Sequence, residues 1–402
     1  MAHSQPHIVI VGGGMVGLSL ALLLDQTGCD WRITVLEAHQ PQRPETPPRY
    51  RPSFDARSCA LSYQSRQIFE RLGVWQELSA HVAAIESIDV SDRGQLGGTF
   101  MTAAEQGLPA LGYVIENLWF GAVLGEAVAR RERITVMAPA RPAAIRPLGS
   151  GVEIALQAEG STLHADLLVI ADGVHSATRD QLGIGVHRRA YGQLATIANV
   201  ALDRPHEGIA WERFAPAGPM ALLPLPPHER TPRAALVWTM SPARAAELEE
   251  LGDTAFLEAL HEQFGHRAGC IVQVGKRFSY PLQLVTAEEQ CRRHVVVVGN
   301  AAHSLHPVAG QGFNLSLRDV ARLARVLSEH AVQPGELAVL QEYVERSRSD
   351  QEQTILLSDS LPRIFSRETF PLPLARSLGL LGLDSVPPLR RAFARRGMGF
   401  NP

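Results

Sequence analysis

A glycine-rich turn near the N-terminus constrains the fold of this chain more than any other feature of its sequence. Residues 8–12 read IVIVG, and an unbroken apolar run of this length is typical of a strand in a parallel sheet that is covered on both faces. Gly12, Gly14 and Gly17 then give the pattern GxGxxG at the start of an apolar helix, and Gly28 stands where the C-terminal cap of that helix is expected. The order of strand, turn and helix predicts an α/β fold.

A second strand, residues 31–36, ends at Glu37, which lies 20 residues beyond Gly17. Glycines in such a turn let the backbone approach a pyrophosphate at the helix N-terminus, and an acid after the second strand accepts hydrogen bonds from ribose hydroxyls. A lone GxGxxG is often only a tight turn, but here the two strands, the helix and the acid all have the expected spacing. We therefore predict a dinucleotide site, and Glu37 favours an unphosphorylated ribose, as in FAD or NAD.

The composition is that of an ordinary globular protein and argues against several other classes. The 402 residues are enough for two domains, and a formal net charge of −3 gives no sign of bulk binding to nucleic acid. The four cysteines lie far apart and form no CxxC pair, so neither a zinc site nor a disulfide framework is predicted. The N-terminus lacks the basic region and the cleavage site of a signal peptide, and four glycines interrupt the apolar run 8–24. A cytoplasmic location is expected.

An Asp-Gly pair ends a second group of strands in the middle of the chain. Residues 134–173 resemble a meander of short strands, and the last of them, residues 167–171, leads into Asp172-Gly173, with Arg179 a few residues further on. Asp-Gly after a strand is usually only a turn, but its position at the end of a buried strand gives a ligand-binding role equal weight.

A helix is predicted between Ser62, a candidate N-cap, and Gly73 at its end. Arg57 stands shortly before this helix, and its spacing alone favours a surface arginine.

Residues 186–285 have a different character from the rest of the chain. They are rich in proline and in short alternating strands, with helical patterns around 242–251 and 253–265. This pattern predicts a second, largely antiparallel domain with an apolar interior. Arg213 and Arg233 are scattered among these strands and are interpreted as surface residues.

The stretch VVVVGNAAHSLHPVAGQGFNLSLRDVARLARVL, residues 295–327, joins an apolar strand to an amphipathic helix through a glycine-rich loop. Together with GxGxxG and the Asp-Gly pair, it resembles the single-component FAD-dependent aromatic hydroxylases, whose motifs are GxGxxG, a central DG and a late GDxxHxxxP. The late motif is matched by Gly299, Asn300, His303 and Pro307. The combination spans the chain and is far more specific than any one motif.

Four segments narrow this resemblance. They are DARSCALS (55–62), YVIEN (113–117), GNAAHSLHPVAGQGFNLSLRD (299–319) and RRAFARRGMGF (390–400). In these segments the chain is similar to the ubiquinone-biosynthesis branch of the FAD-dependent aromatic hydroxylases (class A flavoprotein monooxygenases), and within it to the UbiH-type 2-polyprenyl-6-methoxyphenol hydroxylases. The likeness covers nearly all of the chain.

The resemblance implies a three-part architecture. A Rossmann-like FAD-binding domain would comprise residues 1–80, 105–185 and 290–330, and an inserted β-sheet substrate domain would comprise residues 81–104 and 186–289. Residues 331–402 would form a C-terminal helical region.

The resemblance also assigns residues to FAD. They are Gly12, Gly14, Gly17, Glu37, Arg57, Asp172, Gly173, Arg179, Gly299, Asn300, Pro307, Gly310, Gln311, Gly312 and Asn314. The segment 307–314 is expected beside the isoalloxazine ring, with backbone amides near Gly310, Gln311 and Gly312 leading into a helix from about Asn314. The positive end of that helix would face the edge of the ring that gains negative charge on reduction.

Two positions depart from the pattern of the family. Asn300 stands where most members have aspartate; asparagine keeps the oxygen that accepts a hydrogen bond from a ribityl hydroxyl of FAD and adds a donor. Leu118 stands where relatives often have an arginine directed at the cofactor, so that contact is not expected here.

The chemistry that the resemblance implies resides in the cofactor. NAD(P)H acts as a transient reductant, molecular oxygen is the oxidant, and the protein excludes water and orients the ring of the substrate. No catalytic side chain is therefore predicted. His303 and His306 are three residues apart, but no third ligand is evident and no metal is predicted.

A lipophilic phenol is the expected substrate, and several alternatives stay open. Residues 219–225 and 280–284 could wall a pocket for a prenylated ring or could be ordinary sheet core. The C-terminal PLRRAFARRGMGF carries four arginines and no acid, which fits peripheral contact with an anionic membrane or a solvated helix. The alternative functions are a sister hydroxylase of different regiochemistry, a flavin-dependent reductase of isoprenoid double bonds, and a non-catalytic FAD-binding subunit in a complex of ubiquinone-biosynthesis proteins.

Overall fold

A six-stranded sheet lies at the centre of the computed structural model, which describes residues 5–40, 48–94, 98–157, 160–215, 217–366, 382 and 384–399. Its strands, in spatial order, are β19 (Cys291–Arg292), β20 (Val295–Val297), β12 (Leu167–Ile170), β1 (His7–Val11), β2 (Arg32–Leu36) and β8 (Ile134–Met137). Neighbouring strands are parallel except for the short β19. The apolar run of β1 is fully buried because both faces of this sheet are covered.

Helices cover one face of the central sheet. They are α1 (Met15–Gln26), α4 (Asn117–Ala129), α8 (Gln311–Glu329) and α9 (Leu337–Ser366). Ile8 and Ile10 of β1 point to this side and pack with Leu20 and Phe120. Gly28, with φ +75°, follows α1 as the C-terminal glycine that the sequence predicted.

A small antiparallel sheet covers the opposite face. Its strands are β9 (Pro142–Leu148), β10 (Gly151–Leu156) and β11 (Thr162–Ala165). Val9 and Val11 point to this side and pack with Val152 and Ile154. Alternate residues of β1 therefore belong to two hydrophobic cores, one on each face of the sheet. The predicted meander over 134–173 is thus correct only in its centre, since β8 and β12 belong to the parallel sheet.

A nine-stranded sheet forms the second body of the fold. Its strands are β5 (Ser87–Asp92), β6 (Gly98–Thr102), β13 (Val186–Leu202), β14 (Ile209–Phe214), β15 (Met220–His228), β16 (Thr231–Met240), β17 (Ile271–Val274), β18 (Phe278–Ala287) and β21 (His303–Ser304). All neighbouring pairs are antiparallel except β14 with β5. The two predicted helices, α6 (Pro242–Glu250) and α7 (Asp253–Phe264), pack on one face of this sheet around Trp238 and Phe256.

A three-stranded antiparallel sheet and several short elements lie between these bodies. The strands are β3 (Ser58–Ser62), β7 (Gly112–Glu116) and β4 (Val82–Ile85), and the remaining helices are α2 (Tyr63–Arg71), α3 (Trp75–Ser79), α5 (Ala177–Gln181) and α10 (Pro387–Gly397). Ser62 caps α2 as predicted, because its hydroxyl accepts a hydrogen bond from the Ser65 N–H over 3.2 Å. The division into three domains stays a prediction. No helix in the described part of the chain is long and apolar enough to span a bilayer.

Arg233 is not a surface residue, contrary to the prediction. It is fully buried in β16 and pairs with the carboxylate of Glu116, at the end of β7, over 2.9 Å. Its guanidinium also donates to the carbonyl oxygens of Ser53 and Pro226 and to the Tyr50 hydroxyl. The sequence could not show this because the two charges lie 117 positions apart. Arg213, the other residue predicted at the surface, is partly buried.

We expect Arg233→Met to destabilise the protein by about 3–5 kcal/mol, because it leaves the Glu116 carboxylate buried without its partner. Adding Glu116→Gln should recover part of that loss. The control is Arg146→Ala, which breaks the exposed pair with Glu153 (side chains 70% and 38% exposed) and should cost less than about 1 kcal/mol. Urea unfolding followed by tryptophan fluorescence measures each variant, and equal small losses at Arg233 and Arg146 would contradict the prediction.

Candidate active site

The carboxyl ends of four parallel strands meet at one edge of the central sheet. Gly12 and Glu37 come directly after β1 and β2. One residue separates Asp172 from the end of β12, and one residue separates Gly299 from the end of β20. Because β1 lies between β2 and β12, and β20 lies beside β12, residues from four distant parts of the sequence come to a common edge. Ligands of open α/β sheets bind at such an edge.

The three glycines of the first turn have different physical roles. A Cβ on Gly12 would lie 2.4 Å from the Ala171 carbonyl oxygen, and one on Gly17 would lie 1.9 Å from the Gly12 carbonyl oxygen. These two positions need glycine so that the turn can pack against β12 and α1. A Cβ on Gly14 would meet nothing within 4 Å, so open space lies in front of the first residue of α1, where a ligand would sit.

Glu37 lies directly beside this turn. Its carboxylate accepts hydrogen bonds from the backbone N–H of Gly13 over 2.8 Å and from that of His39 over 2.9 Å. Each carboxylate oxygen has a further lone pair, so Glu37 can hold the turn and still accept from a ribose hydroxyl. The structure thus brings the predicted acid to the predicted glycines.

Asp172 and Gly173 lie next to the same turn. The backbone N–H of Ala171 donates to the Val11 carbonyl oxygen over 2.8 Å, which fixes the start of the Asp-Gly turn against β1. One carboxylate oxygen of Asp172 accepts from the Thr178 N–H over 3.2 Å. The other is buried without a partner in the described residues, and an unpaired buried acceptor is typical of a site that a ligand completes.

Arg179 faces inwards. It is fully buried, and one guanidinium nitrogen donates to the Ala301 carbonyl oxygen over 2.9 Å. It therefore holds the loop that follows β20. Its predicted contact with FAD stays a prediction.

Arg57 is exposed, and its guanidinium is 3.4 Å from the Tyr280 hydroxyl. Its predicted contact with FAD stays a prediction.

The loop after β20 packs on the start of α1. Gly299 has φ +62°, and a Cβ there would lie 3.2 Å from Cγ1 of Val16. Asn300, the next residue, is exposed and lines a cavity beside the loop. The side chain that replaces the aspartate of the late motif is therefore available to a ligand.

The helix after this loop begins at Gln311, three residues earlier than predicted. Gly310 is its N-cap with φ +59°, and no side chain caps the first turn. A Cβ on Gly312 would meet nothing within 4 Å. The first amides of α8 thus have open space and no side-chain acceptor, as is also true at the start of α1.

Asn314 ties the start of α8 to β3. Its side-chain oxygen accepts from the Ser62 N–H over 2.8 Å and from the Ser65 hydroxyl over 2.7 Å. Its amide donates to the carbonyl oxygens of Ala60 over 2.9 Å and Gly310 over 2.7 Å. These four bonds use the hydrogen-bonding capacity of the side chain, so only the backbone of Asn314 can meet a cofactor.

A cavity of about 490 Å³ lies between the loop 304–314, strand β3 and the nine-stranded sheet. The sheet contributes mostly apolar residues, among them Val90, Met101, Phe214 and Leu223. Pro307, predicted beside the flavin ring, is part of the wall. A cavity of this size and character suits a drug-sized apolar ligand.

Residues 219–225 and 280–284 were interpreted either as the wall of a pocket or as ordinary sheet core. Pro219, Met220, Ala221 and Leu223 line the cavity, so most of the 219–225 segment is pocket wall. Residues 280–284 are not among the lining residues.

Sequence reasoning missed two walls of the cavity. Strands β5 and β6 supply Ile88, Val90, Thr99 and Met101; their segment was assigned to the substrate domain, but it was not predicted to line a pocket. Helix α10 supplies Phe393, Ala394 and Gly397, and Met398 follows it. The spacing of Phe393, Ala394 and Met398 is one face of a helix and was the only available signal.

The histidines of the loop have partners other than metal. His303 is buried, and its Nε2 lies 2.7 Å from the Asp319 carboxylate. Among the described residues, no group of three or more His, Cys, Asp or Glu side chains could hold a metal ion. Burial raises the pKa of the Cys59 thiol, on the cavity wall, to about 12, so it is protonated and a poor nucleophile at neutral pH.

Several observations show that the edge of the central sheet could hold a dinucleotide such as FAD. They are the open space at Gly14 and Gly312, the uncapped amides of α1 and α8, and the unpaired oxygen of Asp172. The apolar cavity borders the same loop, which places a second ligand next to the first.

Comparison with known proteins agrees with this geometry. The model of the family described as FAD binding domain matches residues 5–357. A ubiquinone hydroxylase, UbiL, of Rhodospirillum rubrum is 36% identical over 99% of this chain and 90% of its own length. The 3-demethoxyubiquinol 3-hydroxylase of Escherichia coli is 32% identical over 99% of this chain and 100% of its own length.

Solved structures show the same fold at low identity. The p-nitrophenol 4-monooxygenase PnpA of Pseudomonas putida superimposes with a TM-score of 0.77 at 18% identity, covering 98% of both chains. The pqsL protein of Pseudomonas aeruginosa gives a TM-score of 0.76 at 19% identity, covering 94% of this chain and 100% of its own. The predicted fold class, an FAD-binding α/β domain combined with a β-sheet body, is confirmed.

We expect Gly14→Ala to weaken FAD binding without destabilising the apoprotein. Gly14 has φ −74°, which alanine adopts readily, and its Cβ would meet no protein atom within 4 Å, so the new methyl group would occupy only ligand space. FAD affinity should fall at least about tenfold, or ~1.4 kcal/mol, in fluorescence titration of the apoprotein.

The matched control is Gly12→Ala. This residue has φ +114°, and its Cβ would lie 2.4 Å from a backbone oxygen, so the thermal unfolding midpoint of the apoprotein should fall. Unchanged FAD affinity in Gly14→Ala would show that the pyrophosphate lies elsewhere.

Proposed function

We propose that this chain, which belongs to the FAD binding domain family, hydroxylates the ring of a polyprenylated phenol in ubiquinone biosynthesis. FAD is its cofactor, and aromatic-ring hydroxylation is its reaction class. When bound, FAD supplies the redox chemistry, taking electrons from NAD(P)H and passing one oxygen atom of O₂ to the ring. The side chains of the protein bind, orient and exclude water.

The observation that carries this proposal is an apolar cavity beside the loop between β20 and α8, which is predicted to contact the flavin. Residues 304–308 and 310–314 form one wall, and the inner face of the nine-stranded sheet forms the opposite wall. A ring held against the loop would have its substituents directed at Met101, Phe214, Leu223 and Phe393. Such walls stabilise hydrocarbon, and each buried CH₂ contributes ~0.8 kcal/mol.

The predicted FAD residues divide into two proposed groups. Gly14, Glu37 and Asp172 would hold the adenosine and pyrophosphate half at the edge of the central sheet. Asn300 and the first amides of α8 would hold the ribityl chain and the ring. The positive end of α8 would favour the negative charge that reduction places on the ring.

Exclusion of water from the ring is proposed to depend on the apolar walls of the cavity. Helix α10 lines the cavity through Phe393 and Ala394, and Gln311 donates to the Gly397 carbonyl oxygen over 3.0 Å. This bond connects the start of α8 with the end of α10. A dry site strengthens every electrostatic contact within it.

The substrate within the pathway is proposed to be 2-polyprenyl-6-methoxyphenol, hydroxylated para to its hydroxyl group. A demethoxyubiquinol is the second candidate, since the 3-demethoxyubiquinol 3-hydroxylase of Escherichia coli is 32% identical over 99% of this chain. The two relatives named above are hydroxylases, which favours ring hydroxylation over reduction of an isoprenoid double bond. A non-catalytic role in a biosynthetic complex would require that no substrate be turned over.

We expect a short-chain 2-prenyl-6-methoxyphenol to accelerate NAD(P)H oxidation and to gain one oxygen atom. The apparent KM should fall with each added prenyl unit until the cavity is filled, because each buried CH₂ contributes ~0.8 kcal/mol, and then stay constant. Mass spectrometry and NMR of the product, with a short-chain demethoxyubiquinol assayed in parallel, identify the substrate and the ring position. Turnover of 4-hydroxybenzoate with an inert prenylphenol would overturn the assignment to this pathway.

Helix α10 also supports a proposed contact with an anionic membrane. Arg391, Arg395 and Arg396 are exposed on the face opposite the cavity and form no ion pair in the described part of the chain. Leu389 beside them is 52% exposed. Arginines near a bilayer surface that carries anionic lipid are attracted to it, and the opposite face of the same helix borders the cavity, so a polyprenyl chain could pass from the bilayer to the site. Complexes with other proteins of the pathway stay a prediction.

We expect Arg391→Gln, Arg395→Gln and Arg396→Gln together to reduce binding to vesicles of phosphatidylglycerol and phosphatidylcholine by more than about 100-fold, since each arginine contributes ~1 kcal/mol. Vesicle flotation measures this binding. The control variant neutralises Arg146, Arg325 and Arg348, which are 70%, 68% and 57% exposed elsewhere, and should bind as the wild type does. Equal binding by both variants would contradict the membrane contact.

A further inference from the structure

His306 is a buried polar side chain on the cavity wall that the assigned roles do not use. It is 0% exposed, and it lies in the loop between β21 and α8. Among the polar side chains of the cavity, Asn314 has all its hydrogen bonds within the protein, and Gln311 donates to Gly397. The Nε2 atom of His306 has no partner in the described residues, and the same is true of Thr99 Oγ1 and Arg213 Nε on the sheet wall.

The backbone fixes which nitrogen of His306 carries the proton. The Val308 N–H donates to Nδ1 over 3.2 Å, so Nδ1 is the acceptor and a neutral ring carries its hydrogen on Nε2. Burial lowers the pKa of His306 to about 4 despite the nearby Asp359 carboxylate, which keeps the ring neutral at physiological pH. The loop therefore presents one N–H donor without an acceptor.

The Val308 N–H and the ring of Tyr191 hold the ring of His306 in place. Tyr191 packs edge-on against it, with ring centroids 5.1 Å apart and an interplanar angle of 86°. The Tyr191 hydroxyl donates to Asp359 over 3.0 Å, and Asp359 also pairs with Arg189. Asp359 is thus engaged by other groups, and the Nε2–H is left for a ligand. A buried donor without a partner is destabilising, and a bound acceptor would remove that cost.

We infer that the Nε2–H of His306 donates a hydrogen bond to the phenol oxygen of the substrate. This inference rests on the proposed function. Such a bond would fix the rotation of the ring in a cavity whose other contacts are mostly apolar and non-directional. His306 is thereby assigned as a residue that selects phenols over ring systems without an oxygen acceptor.

The test compares two ligands in three forms of the holoenzyme. The ligands are 2-prenyl-6-methoxyphenol and the same molecule with hydrogen in place of the hydroxyl group. Their dissociation constants are measured without NAD(P)H, from the change that each causes in the absorption spectrum of bound FAD. The wild type should prefer the phenol roughly two- to twelvefold, the range expected for one neutral hydrogen bond.

In His306→Leu this preference should fall to about one, because leucine fills the space without a donor, while His306→Gln should keep part of it. The control is Thr99→Val, which removes another unpartnered polar atom of the cavity wall, Thr99 Oγ1 on β6, and should leave the preference unchanged. FAD content and the thermal midpoint are measured for each variant. If His306→Leu loses FAD, His306→Phe replaces it in the comparison.

A preference that is unchanged in the donor-free variants would overturn the inference, and its loss in Thr99→Val alone would place the phenol oxygen at the sheet wall instead. Failure of the proposed function has a different outcome, since the wild type would then bind or hydroxylate neither ligand. A purely structural histidine would weaken both ligands equally and leave their ratio at the wild-type value.

Discussion

Parallel pairing of β1 with β12, and of β12 with β20, is the constraint on which the candidate site depends. Val11 pairs with Ile170, and Ile170 pairs with Val297, so three strands that are far apart in the sequence end at one level. The pairing demands glycine at position 12, where a Cβ would lie 2.4 Å from the Ala171 carbonyl oxygen. The acid, the Asp-Gly turn and the late loop are brought together because these strand ends coincide.

The loop between β20 and α8 borders both proposed ligand sites. On one side Gly299 packs against Val16 of α1, which places Asn300 near the edge of the central sheet. On the other side residues 304–308 and 310–314 line the apolar cavity. Asn314 stabilises this arrangement with two hydrogen bonds to β3, one to Ser65 of α2 and one to Gly310. A reaction between a bound flavin and a bound ring needs the two ligands in contact, and a single loop between the two sites provides for that.

Two buried arginines connect elements of the fold that are distant in the sequence. Arg233 of the large sheet reaches Glu116 at the end of β7, and Arg179 holds the carbonyl oxygen of Ala301. Both arginines are fully buried, where a charge must be paired or hydrogen-bonded. Neither contact could be read from the sequence, because each joins residues more than 100 positions apart, and an arginine among strands is more often exposed than buried.

The sequence by itself determined the local elements of the cofactor site. The apolar run of β1, the spacing of Gly12, Gly14 and Gly17, and the cap at Ser62 depend only on neighbouring residues, and the structure has each of them as predicted. Tertiary structure alone decided what surrounds the substrate. Thr99, Phe214, His306 and Phe393 come from four separate elements and share one cavity, and no periodicity links them. The reason is physical: backbone hydrogen bonds and steric limits act between near neighbours, whereas a cavity is defined by distant side chains that packing brings together.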